Sequence, residues 1–228
     1  MGIARLQSHV GRVFRQRCFY LFVSLIALIV AAPFAAESAN GRLAIQCAQV
    51  LVLVAAVAAV GRTTMPFVIA LLLGIPPLVL QFLSFAGYDE LGNVAMVTAA
   101  FYLAFYIVAI VYLLIYVFSA EVMTDDKLFG AAGAYMMLGI VWGYAYLLVQ
   151  HVDPAAFGAA PGGRPRYFFD LLYMSFGVLT SNGPGDVAIV GAKVKALVIL
   201  EQVTGTLFVA ILIARLAGIY PPRPSRQA

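Results

Sequence analysis

Apolar residues dominate this chain in long blocks with almost no charge between them, at roughly 19–36, 44–60, 67–86, 94–118, 128–150 and 190–218. Each block is about as long as the 20 or so helical residues that cross a bilayer. Alternation at a period of two, as in a membrane barrel, is absent. A backbone in lipid must satisfy its own hydrogen bonds, so the pattern predicts an all-α membrane protein with six transmembrane helices. Breakers fall between blocks, in "GRTTMP" and "GYDELGN". Pro76 and Pro77 lie inside the third block, where two missing donors predict a kink.

A seventh apolar stretch, "YFFDLLYMSFGVLT" at 167–180, is too short to span. It predicts a short re-entrant helix, with Asp170 capping its start. The polar, bent "TSNGPGD" follows at once. Polar backbone at membrane depth is tolerated only where protein buries it or water lines it. Helix, loop and following span together predict a pore loop between helices 5 and 6. Read alone, "GPG" is an ordinary turn.

Composition agrees: 64% of 228 residues are hydrophobic and 11% charged, with mean hydropathy +0.98. One soluble core cannot hide that much apolar surface. Net charge is +4, and its placement matters more than its sign. Arg5, Arg12, Arg15, Arg17, Arg62, Lys127, Arg215, Arg223 and Arg226 fall on one side of six alternating helices. Arg42, Arg164, Arg166, Lys193 and Lys195 fall on the other. The heavier side is cytoplasmic by the positive-inside rule, so both termini are expected there. The basic N-terminus is a topology signal and a contact for anionic lipid, rather than a nucleic-acid surface. With "AAPFAAESA" after the first block it also resembles a cleavable signal peptide, although retention is the expectation. Cys18 and Cys47 read as reduced packing residues.

"TSNGPGD" resembles the selectivity-filter signature of the potassium-channel superfamily, threonine-threonine-valine-glycine-tyrosine-glycine-aspartate. Thr180 and Ser181 match the threonines, Gly183 and Gly185 the glycines, and Asp186 the acid. "FFDLLYMSFGVLT" is similar to the family's pore helix, and "VKALVILEQVTGTLFVAILIARLAGIY" to the inner helix of bacterial six-helix members. "MTDDKLFGAAGAYMMLGIVWGYAYLL" resembles their linker and outer helix. The likeness covers about 119–220, and 1–118 only by helix count.

The resemblance implies a homotetramer in the cell membrane, the bacterial inner membrane, with a passive path for potassium. It implies no cofactor, only the permeant ion, and the lipid bilayer as a partner. It also implies a cytoplasmic N-terminus at 1–18, a voltage-sensor-like domain at 19–118 and a linker at 119–127. A pore domain at 128–220 and a tail at 221–228 complete the chain. Gly205 stands at the family's gating-hinge glycine. In such filters carbonyls and a hydroxyl replace an ion's hydration shell, and glycine permits the positive φ that turns them.

Three departures alter the expectation. Ser181 keeps the hydroxyl but loses the methyl that restricts its rotamer. Asn182 stands where a valine packs, and Pro184 removes an aromatic ring and a donor. Relaxed selectivity, with sodium also permeant, is therefore expected. The fourth block has no Arg or Lys, which predicts weak voltage sensitivity. Its aromatics read as packing residues.

Glu201 is the only acid deep inside a predicted span. Such an acid is a functional candidate. It either bonds behind the pore helix, to Ser175 or Asn182, or faces the ion path as an ion or proton site. A secondary transporter should show paired broken helices from an internal repeat, and none is visible. A non-conducting accessory subunit stays open beside the channel. No nucleophile, metal cluster or phosphate loop points to an enzyme.

Overall fold

A computed structural model describes residues 16–36, 39–60, 64–85, 94–119 and 124–219. The arginines at 5, 12, 15, 62, 223 and 226, the segment "GYDELGN", residues 120–123 of the linker and the tail lie outside the described residues. The elements are α1 Arg17–Ala31, α2 Ala39–Val60, α3 Thr64–Phe85, α4 Val94–Val117, α5 Asp125–Val152, α6 Phe168–Leu179 and α7 Ala192–Ile219. Short 3₁₀ turns follow α1 at Ala32–Ala36 and precede α6 at Pro161–Gly163. The architecture is all-helical, with no strand among the described residues.

Four stretches are long and apolar enough to cross a membrane: Arg17–Phe34, Val94–Val117, Asp125–Val152 and Ala192–Ala217. The apolar segments of the second and third helices, Leu43–Ala59 and Phe67–Leu83, are shorter. Pro76 and Pro77 sit inside α3, which runs through both as one helix.

Helix α5 is the hub, packing against α1, α4, α6 and α7. Its start is well specified. Thr124 caps it by accepting from the Lys127 amide at 3.4 Å, and Asp125 and Asp126 oppose the positive end of its dipole. Asp126 also accepts from the Cys18 amide at 2.9 Å and from the Tyr116 hydroxyl at 2.7 Å. One carboxylate thus joins the starts of α1 and α5 to the end of α4.

The aromatics of α4 are packing residues. Tyr102 and Tyr106 are buried and stack on Tyr144 of α5, which stacks on Phe168 of α6 at 4.4 Å between centroids. Buried tyrosine hydroxyls need partners. Tyr102 donates to Gln81 at 2.8 Å, and Gln49 lies 3.4 Å from the Tyr144 hydroxyl. One core runs from α1 to α6 and crosses the expected boundary at 119–127. A second, smaller cluster at the other end of α5 and α6 supports the loop after α6.

Candidate functional site

The twelve residues of α6 lie between α5 and α7. Asp170 does cap the start, accepting from the Tyr167 amide at 2.9 Å while Arg164 pairs with it at 3.1 Å. Gly139 of α5 lets α6 approach. A methyl built there would lie 2.9 Å from the Phe176 ring.

Residues 180–186 leave the end of α6 as a tight loop. Ser181, Gly183 and Gly185 have positive φ, at 62°, 95° and 64°, with residues of negative φ between them. For serine this conformation costs about 1 kcal/mol or more. The Ser181 amide donates to Val178 O at 2.9 Å, and the Asn182 and Gly183 amides both donate to Gly177 O at 2.7 and 3.1 Å.

These bonds orient the carbonyls. No peptide bond among the described residues is cis, and in a planar trans peptide the C=O points opposite to the next N–H. The carbonyls of Thr180, Ser181 and Asn182 therefore point away from α6, on exposed residues. They extend the negative end of the α6 dipole, which favours cations. Gly183 breaks the row: its oxygen turns back on Gly177, where a side-chain methyl would overlap it. Pro184 O is taken by the Val187 amide at 3.3 Å.

The side chains brace one another. The Thr180 hydroxyl donates to Phe176 O at 2.7 Å and accepts from the Asn182 amide group at 2.9 Å. Asn182 is exposed, and its amide group bonds within the loop rather than behind it. Ser181 Oγ lies 3.4 Å from Thr206 Oγ1 of α7. The Tyr173 ring edge from α6 lies 2.7 Å from a Cβ built on Gly185. A side chain there would collide with that ring and adopt a strained φ.

Asp186 is held by Arg166, whose sequence position pointed only to topology. Arg166 is 6% exposed at its side chain, against 71% for Asp186. It donates to Gly158 O at 3.0 Å, to Asp186 Oδ2 at 3.3 Å and to Asp186 O at 3.1 Å. Gln150 of α5 fixes the Arg166 backbone, donating to its oxygen at 2.9 Å and accepting from its amide at 3.2 Å. An arginine surrounded by Gly and Pro in a loop gave no local signal, because its partners lie in three separate segments. Lys193 and Lys195 are exposed at the start of α7.

Gly205 and Glu201 sit behind the loop rather than in it. A methyl on Gly205 would overlap the carbonyl oxygen of Leu179, the residue before Thr180. Gly205 packs closely against Leu179 within a continuous α7. Glu201 bonds to Ser175, as one sequence reading had it, and to Tyr146, which sequence reading missed. Asn182 is not among its partners.

The rest of α7 is open: only 11% of its membrane-length segment is buried. Gln202, Val203, Thr206 and Leu207 are exposed around a shallow hollow of about 230 Å³. Among the described residues, no group of His, Cys, Asp or Glu could hold a metal ion. No protein-family profile, curated protein or solved structure matches this chain.

Proposed function

We propose that the chain is one subunit of a tetrameric channel for monovalent cations, potassium and sodium, in a cell membrane. The observation that carries the reading is the row of Thr180, Ser181 and Asn182 carbonyls beyond the end of a helix too short to span. Uncharged oxygens at a negative helix end suit a dehydrated cation. The Thr206 hydroxyl lies 3.4 Å from Ser181 Oγ, and the exposed Gln202 stands one turn earlier on the same face of α7. Such groups are costly against lipid, which argues for a watery path there.

One loop cannot surround an ion, and closed cyclic symmetry supplies the remaining walls. Four copies would also cover the open face of α7. On this reading α2 and α3 cross the membrane as well, giving six spans, a re-entrant α6 and both termini in the cytoplasm. An α4 without Lys or Arg carries no gating charge, so opening is insensitive to voltage.

The second reading is a non-conducting, channel-like subunit. The inward Gly183 carbonyl favours it, because that oxygen is withdrawn from any ion path. Purified protein in vesicles, under opposed potassium and sodium gradients, separates the two. A cation-selective reversal potential supports the channel. Sealed vesicles that pass neither ion, with tetramers present, refute conduction and leave the second reading.

A further inference from the structure

Glu201 is fully buried, as are Ser175 of α6 and Tyr146 of α5. Tyr146 lies with its hydroxyl 2.6 Å from Glu201 Oε2, and Ser175 Oγ is 2.5 Å from Oε1. Ser175 Oγ is also 2.8 Å from Gly139 O. A hydroxyl has one hydrogen, and a backbone carbonyl can only accept. If Ser175 donated to a Glu201 carboxylate, its oxygen would face Gly139 O with no hydrogen between them. A proton on Oε1 resolves all three contacts: Glu201 donates to Ser175, Ser175 to Gly139, and Tyr146 to Glu201. No ion pair to Glu201 occurs among the described residues, and an unpaired buried charge is far costlier than a neutral acid.

We propose that Glu201 works as an uncharged acid, a positioning residue that ties α7 to α6 and α5 behind the loop. Ser175 lies two residues before Gly177, whose carbonyl anchors the Asn182 and Gly183 amides. The bracket therefore fixes the depth of α6, and with it the carbonyl row. Its service to ion passage rests on the channel reading; its protonation does not.

The test compares wild type, Glu201→Gln, Glu201→Leu and Tyr146→Phe in lipid vesicles near neutral pH. Infrared difference spectra between wild type and Glu201→Gln should lose one carboxylic-acid C=O band. Tyr146→Phe should move that band to higher frequency, since Oε2 loses its donor. The glutamine amide can donate to Ser175 and accept from Tyr146, so Glu201→Gln should recover thermal stability and cation flux to within about twofold of wild type. Glu201→Leu leaves the buried Tyr146 hydroxyl without an acceptor and Ser175 without its donor, and should lose about tenfold in flux. A carboxylate band at Glu201, or a glutamine variant no better than leucine, overturns the proposal. If wild-type vesicles pass no cation, the channel reading falls, while the band and the stability rescue still decide the protonated bracket.

Discussion

Gly205→Ala separates a hinge from a packing contact. For a hinge, added stiffness should change open probability and leave ion preference alone. The geometry argues otherwise, because the new methyl would meet the Leu179 carbonyl oxygen and Leu179 Cδ1. That oxygen also accepts from Tyr135 at 3.1 Å, so it has little freedom to move aside. Overpacking a filled site costs about 1–3 kcal/mol, while alanine for glycine inside a helix returns about 1 kcal/mol. The obstructing atom is backbone, which puts the cost at the upper end and the net destabilisation at about 1–2 kcal/mol. Because Leu179 directly precedes Thr180, the displacement should pass into the carbonyl row. Single-channel recording should therefore show a shifted potassium-to-sodium permeability ratio as well as altered opening, with a lowered melting temperature in detergent. Thr204→Ala serves as control, since Thr204 bonds only its own helix, at Leu200 O. Unchanged stability and ion preference in Gly205→Ala, with altered opening alone, would refute the packing argument and restore the hinge.

Arg166→Lys should fail to replace arginine, because one ammonium cannot span Gly158 O and both Asp186 oxygens. We expect a loss of about 1–3 kcal/mol and faster proteolysis at 156–165, read by limited digestion. Asp186→Asn should lower cation conductance at low ionic strength and have little effect near 1 M salt, where the Debye length is about 3 Å; an effect independent of salt would show that Asp186 acts on the loop rather than through its field. Asn182→Val combined with Pro184→Tyr should raise the potassium-to-sodium permeability ratio by returning side-chain support to the loop, and an unchanged ratio from reversal potentials would sink that account.

Helix existence was legible in the chain because lipid imposes length and apolarity locally. All six long blocks and the short 167–180 stretch became helices with ends displaced by a few residues. Asp170 as a cap was equally legible, since its partner is three residues away. Positive φ at Gly183 and Gly185 follows from having no Cβ, although Ser181 shares it without that licence.

Tertiary structure decided what depends on groups far apart in the chain. Arg166 finds Asp186 20 residues on, and Glu201 finds Tyr146 across 55. Spacing along one helix cannot encode such pairings, because they arise only when α5, α6 and α7 take fixed depths and rotations. The same packing turned Gly205 from a candidate flexible point into a contact with Leu179. It also turned three carbonyls outward: the loop's composition permits either direction, and Val178 O and Gly177 O, held in place by α6, select the outward one.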